Sequence, residues 1–215
     1  MSQFNHPVLQ TGLFISFEGV ETSGKTTQAD LLSEWFEGRD VSVVRVREPG
    51  STPVGEEIRE ILLSSEDEIQ PAAEMFLFAA ARAQLVRQVI KPALSKGEVV
   101  ICDRFIDSSL AYQGYGLGLE PELVWDVNRP AVDNTIPDLT FVLGSGPNLQ
   151  QTHYRDSEDR IEARNQQFHD RVRRGYLRLS ECFPQRIVII DTSSEIKDTA
   201  QNIQRVIVER FPQLK

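Results

Sequence analysis

Residues 13–27 read LFISFEGVETSGKTT, and this stretch decides the fold. Leu13 to Glu18 is a short apolar run with the character of a buried strand. Gly19-Val20-Glu21-Thr22-Ser23-Gly24-Lys25-Thr26 then fits G-x-x-x-x-G-K-[ST], with Thr27 next in line. Lys25 to Gly38 follows as a helix, carrying Leu31, Leu32, Trp35 and Phe36 on one stripe and Gly38 as its stop. A glycine-rich turn between a strand and a helix is the context this motif requires. Its glycines let backbone N–H groups turn inward around an oxyanion, and the helix N-terminus adds favourable potential. Lys25 is expected to reach the outer phosphates of a nucleotide, and Thr26 to ligate Mg²⁺. The motif predicts nucleotide binding and leaves the reaction open.

Outward from this segment, four more apolar runs read as strands: Val41–Val46, Glu98–Cys102, Leu139–Leu143 and Arg186–Ile190. Helical stretches separate them, including Val54–Leu63, a long one from Pro71 to about Ser95 that Pro92 is expected to bend, Asp107–Tyr112, Glu120–Ala131, Arg160–Phe183 and Glu195–Phe211. Alternating strands and helices predict an α/β fold: one parallel sheet covered on both faces, in a single domain over 1–215. Gly144 to Asp159 is polar and without regular pattern. Ligands in such folds bind beyond the carboxyl ends of the strands, here just after Glu18, Val46, Cys102 and Leu143.

The 215 residues carry 32 Asp and Glu against 23 Lys and Arg, a formal charge of −9 that disfavours a nucleic-acid partner. No run approaches the ~20 apolar residues that span a bilayer, and Met1 to Thr11 lacks the pattern of a secretion signal, so the chain reads as cytoplasmic. Cys102 and Cys182 are the two cysteines and read as packed thiols rather than a disulfide or zinc site.

Three further groups sit at predicted strand ends or on one helix face. Asp103-Arg104 follows the third strand, where Asp103 can orient water on Mg²⁺ and Arg104 can hold a phosphate with its planar fork. Arg47-Glu48-Pro49-Gly50 follows the second strand and adds a second positive charge. Phe78 and Arg82 lie four apart and share a helix face. That pair suits stacking on a pyrimidine and donation to its O4, since arginine has donors only. Tyr112-Gln113-Gly114 comes soon after, and the tyrosine ring could exclude a ribose 2′-OH.

Taken together the chain resembles the thymidylate kinases. The matching pieces are FEGVETSGKTT (17–27), REPG (47–50), LFAAARAQL (77–85), KPALSKGEVVICDRF (91–105), DSSLAYQG (107–114), RPAVDNTIPDLTFVL (129–143), DRIE (159–162) and FHDRVRRGYL (168–177). The resemblance implies a three-layer P-loop kinase fold with a five-stranded parallel sheet, a small lid at about 144–160, and a homodimer. It implies ATP with Mg²⁺ as donor and dTMP as acceptor. On this reading Gly19 to Thr27 bind ATP, and Glu21 lies near the sugar and acceptor phosphate. Arg47, Glu48, Pro49, Phe78, Arg82, Arg104, Ser109, Tyr112 and Gln113 bind the acceptor.

Three departures from the family pattern stand out. Ser51 replaces the second glycine of EPGG and is expected to carry strain if its φ is positive. Gly144 ends the fourth strand where an aspartate is common. The lid segment from Gly144 to Tyr154 has no Lys or Arg, so Arg155, supported by Arg160, is the residue expected to close over the phosphates; His153 reads as exposed. Two other readings fit the same residues: a kinase for another deoxypyrimidine monophosphate such as dUMP, and a weakly catalytic nucleotide-binding protein.

Overall fold

Five parallel strands lie in the order β2-β3-β1-β4-β5 in the computed structural model, which describes residues 12–20, 22–65, 67–145, 149 and 160–212. They are β1 (Leu13–Glu18), β2 (Val43–Arg47), β3 (Val99–Asp103), β4 (Leu139–Gly144) and β5 (Ile187–Asp191). β1 and β4 are buried along their whole length, as continuous apolar runs in a doubly covered sheet require. On one face pack α1 (Lys25–Glu37) and α8 (Ile196–Arg210), with Leu32, Phe36, Ile203 and Ile207 against Ile15, Ile101 and Phe141. The other face carries a larger core of Phe14, Met75, Leu85, Phe105, Phe168, Val172 and Tyr176. These come largely from α3 (Pro71–Leu85) and α7 (Gln166–Cys182). The expected three layers are present.

α2 (Pro53–Ser64) starts where Thr52 accepts the Gly55 N–H and Pro53 takes the first turn, where its missing N–H costs nothing. The helix expected from Pro71 to Ser95 is unbroken in sequence but changes its winding. α3 passes into a π-helical turn (Val86–Ile90) and then α4 (Lys91–Ser95). Pro92 has no N–H to donate and its ring crowds the carbonyl one turn back, and a wider turn just before it relieves both. The segment after β3 repeats the device, with α5 (Ile106–Ser109) running into a π turn (Leu110–Gly116) that carries Tyr112 and Gln113. α6 (Pro121–Val132) closes on Asp133 in the left-handed conformation.

One helix boundary changes: α7 begins at Gln166 and not Arg160, because the Asn165 side chain caps it by accepting the Phe168 N–H. The aspartate common in the family where Gly144 stands would have no room here. A Cβ on Gly144 would stand 2.7 Å from the Leu149 Cα, and Leu149 is buried against it.

One buried polar chain crosses the sheet. Ser16 Oγ and Thr140 Oγ1 lie 2.8 Å apart, and Thr140 Oγ1 donates to Asp107 Oδ2 at 3.1 Å. Arg186 closes it with a fork on both Asp107 oxygens, at 2.5 and 2.8 Å. Asp107→Asn keeps the shape and leaves the guanidinium without its counter-charge. It should cost about 3–5 kcal/mol in urea denaturation, and an unchanged midpoint would contradict this assignment.

Candidate active site

The carboxyl ends of β1, β2 and β3 open into one cavity of about 730 Å³. Thr22, Gly24, Lys25, Thr26 and Thr27 line one end. Phe78, Ser109, Tyr112 and Gln113 line the other, with Arg47, Asp103, Arg104 and Glu162 between.

The glycine positions of the loop are dictated by space and dihedral. Gly19 has φ 129°, and a Cβ there would sit 2.3 Å from the Leu143 carbonyl oxygen. Gly24 has φ 90° and delivers the chain into α1. Lys25 is buried, and its ammonium donates to the carbonyls of Val20 (2.8 Å) and Gly19 (3.2 Å). Burial, with the Arg104 charge adding, lowers its pKa to about 8. Ser23 is buried within the loop and Thr22 takes φ 59°. Glu21 lies outside the described residues.

Thr26 Oγ1 donates to Asp103 Oδ2 at 2.8 Å, which places two hard oxygen ligands side by side next to the phosphate loop. That donor set fits Mg²⁺, which prefers a few oxygens and completes its shell with water and phosphate. Among the described residues no group of three or more His, Cys, Asp or Glu forms a protein-only metal cage.

Arg104 follows with φ 69°, an uncommon conformation for a side chain of this size. Its N–H bonds the Phe17 carbonyl (2.9 Å), which fixes it beside β1. The guanidinium then donates to the Gly19 carbonyl (2.9 Å) and to Glu162 Oε1 (3.2 Å), and lies over the Tyr112 ring at 5.0 Å. Behind it, Glu18 holds the turn by accepting from the Phe105 N–H (2.8 Å), Ser108 Oγ (2.5 Å) and Tyr176 Oη (3.0 Å). Burial, with Asp107 adding, raises the Glu18 pKa to about 7.

Arg47 stands half exposed and pairs with Glu56 at 2.7 Å. Ser51 takes φ 61°, so the strain expected there is present. Local bonds offset it: Ser51 Oγ accepts the Arg47 N–H, and the Ser51 N–H donates to Glu56. The intervening Glu48–Pro49 peptide is cis.

Arg82 is 1 % exposed and sits behind the cavity wall. Nε and Nη2 donate to Glu48 Oε2 at 2.9 and 2.6 Å, while Nη1 donates to Ser109 Oγ at 3.0 Å and to Asn128 Oδ1. Burial pushes Glu48 up to about 7 against the pull of Arg82, and its Oε1 finds no hydrogen-bond partner among the described residues.

Arg160, expected to support Arg155, has its guanidinium on Glu74 Oε2 (2.7 Å) and the Leu62 carbonyl (3.1 Å). Glu74 is fully buried. It also takes a fork from Arg164 and the amide of Gln113 (3.0 Å). Burial pulls its pKa up, yet the arginine and amide hydrogen bonds overcome it and hold the carboxyl below its ordinary value. Arg155 and His153 lie outside the described residues.

Sequence reasoning missed Arg59, Ser108, Asn128 and Glu162. Arg59 lines the cavity and donates to the Pro49 carbonyl at 3.0 Å. Glu162 had a signal, since it closes the DRIE stretch.

A family model described as thymidylate kinase matches residues 17–203. The thymidylate kinase of Pelotomaculum thermopropionicum is 54 % identical over 186 residues, covering 85 % of this chain and 86 % of the relative. That of Exiguobacterium sp. is 44 % identical over 206 residues, covering 94 % and 97 %. The crystal structure of thymidylate kinase from Ehrlichia chaffeensis superposes with a TM-score of 0.75 at 33 % identity, covering 92 % of this chain and 98 % of the other.

The lowered Lys25 pKa predicts that ATP affinity of the free enzyme falls as pH rises through about 8, because the ammonium then loses the proton that attracts phosphate. Calorimetric titration from about pH 7 to about pH 9 checks this. A flat profile across that window would contradict it.

Proposed function

The chain belongs to the thymidylate kinase family and phosphorylates dTMP, and we propose that the cavity described above does so with the following division of roles. The loop from Gly19 to Thr27 cradles the ATP phosphates through its N–H groups and the α1 N-terminus. Lys25 neutralises the outer phosphates, its ammonium exchanging loop carbonyls for phosphate oxygens. Thr26 would hold Mg²⁺ directly and Asp103 through water, and the ion, when bound, neutralises charge on the transferring group.

Arg104 and Arg47 take the acceptor phosphate. The Arg47–Glu56 pair is half exposed, and such pairs contribute about 0–1 kcal/mol, so Arg47 is readily released to a dianion. Phe78 stacks on the base and Tyr112 lies under the deoxyribose. Ser109 and Gln113 complete the wall. Arg82, oriented by Glu48 and Asn128, is assigned to the carbonyl at C4 from behind the wall, beside Ser109. Glu21 serves the sugar and acceptor phosphate from the loop, and Arg155 closes over the phosphates from the lid at about 144–160.

An acceptor oxygen attacks the γ-phosphorus, and the bond to the bridging oxygen of the leaving ADP breaks. The acceptor phosphate oxygen already carries negative charge near neutral pH, so positioning and charge neutralisation supply the catalysis without a strong base. Release of ADP and dTDP balances the reaction.

Two copies are expected to pair. Ile61 on α2, Phe76 on α3, and Leu123 and Trp125 on α6 are exposed apolar side chains that a second copy would cover. Among the described residues no helix is long and apolar enough to cross a membrane, and cytoplasmic placement accords with the chemistry.

The observation that carries this reading is the position of Arg104, bonded to the phosphate loop on one side and stacked on Tyr112 on the other. ADP release with ATP and Mg²⁺ tests it, run with dTMP, dUMP, dCMP and no acceptor. Release should require an acceptor and be fastest with dTMP, by about tenfold or more over dCMP. Background release with every acceptor, from protein that still binds ATP, would overturn it.

A further inference from the structure

Glu162 closes the Asp159-Arg160-Ile161-Glu162 stretch and has no part in the roles above. Its side chain is 8 % exposed and reaches the cavity between the two halves of the site. Oε1 accepts from Arg104 Nη2 at 3.2 Å and from the Tyr112 hydroxyl at 3.1 Å. The same guanidinium lies over the same ring at 5.0 Å, so carboxylate, fork and phenol form a closed triangle. The residue is itself tied to α7, because its carbonyl lies 3.1 Å from His169 Nε2 and its Oε2 3.9 Å from His169 Nδ1.

As a counter-ion Glu162 offsets the desolvation of the buried Arg104 guanidinium, but its charge also carries a cost here. It places negative charge in the part of the cleft that must accept a phosphate dianion, and it partly neutralises the arginine meant to receive it. Geometry supplies a further reason. The Tyr112 hydroxyl is buried and needs an acceptor, and that acceptor fixes the rotation of the ring. Arg104 is long and has many rotamers, and a second anchor beyond the Gly19 carbonyl leaves its fork in one orientation.

We propose that Glu162 is a positioning residue for the acceptor, holding Arg104 and Tyr112 in one mutual geometry so that phosphate and sugar are gripped together. This rests on the reading that Arg104 meets the acceptor phosphate and Tyr112 the deoxyribose. Because Glu162 belongs to the segment that enters α7 from the lid, it also makes the acceptor grip depend on how that segment is seated.

Steady-state kinetics of Glu162→Ala and Glu162→Gln test it, with dTMP and its ribose counterpart as acceptors and the ATP KM measured beside them. Glu162→Ala should raise the dTMP KM about tenfold or more and erode the preference for the deoxy acceptor by a similar factor. Its ATP KM should stay within about twofold. Glu162→Gln retains an oxygen for the Tyr112 hydroxyl and loses the charge that binds Arg104. It should keep the deoxy preference within about twofold while kcat/KM for dTMP falls several-fold. Tighter dTMP binding by either variant, or an unchanged preference in Glu162→Ala, would overturn the proposal. Should Glu162→Ala fail to fold, a Glu162→Gln enzyme matching wild type in both quantities would also overturn it. Wild-type enzyme without dTMP-dependent turnover would instead refute the parent reading.

Discussion

A single guanidinium joins parts of the chain that lie far apart in sequence. Arg104 reaches 85 residues back to the Gly19 carbonyl of the phosphate loop and 58 residues forward to Glu162. It does so from a left-handed backbone position that non-glycine residues seldom adopt, a conformation that costs on the order of 1 kcal/mol or more. The parallel pairing of β1 with β3 makes the position hold, since the Arg104 N–H continues that ladder onto Phe17. Donor and acceptor ends of the cleft therefore inherit their relative placement from the sheet.

The acidic composition of the chain takes on a structural sense around this centre. Glu48, Glu74 and Glu162 are buried or nearly so, and each orients an arginine: Arg82, the Arg160–Arg164 pair and Arg104. Glu18 does comparable work one layer deeper, fixing Ser108 and the Phe105 N–H beneath Arg104. Burying these carboxylates is costly, as the raised Glu18 and Glu48 values indicate. In exchange the arginine forks are held by at least one charged partner before any ligand arrives, which is the preorganisation that phosphoryl transfer depends on. A protein with net charge −9 can bind two polyanions because Lys25, Arg47, Arg59 and Arg104 line one cleft.

Local features were readable from sequence and long-range partnerships were not. Strand, phosphate loop and helix at 13–37 depend on apolar pattern and glycine positions within one short window, and they stand where the pattern puts them. The strain at Ser51 was anticipated from its departure from the EPGG pattern, and Thr26 and Asp103, each assigned to Mg²⁺, stand within hydrogen-bond distance. The Arg160–Glu74 bond was not legible, because Glu74 lies 86 residues earlier, on a helix whose packing no periodicity encodes. The two π turns escaped for a similar reason. Pro92 announces a disturbance, but whether the helix kinks or widens is decided by what surrounds it. Gly144 read as a missing carboxylate, and only the position of Leu149 explains why a side chain has no room there.

The central claim is that the planar fork of Arg104, and not its charge alone, links the two ends of the site. Arg104→Lys keeps the charge and removes the fork, so it cannot serve the Gly19 carbonyl, Glu162 and a phosphate together. The account predicts a fall in kcat/KM for dTMP of about 10²–10³, with ATP affinity held within about twofold of wild type. A lysine enzyme that turns over dTMP at close to the wild-type rate would show that a point charge suffices and would contradict it.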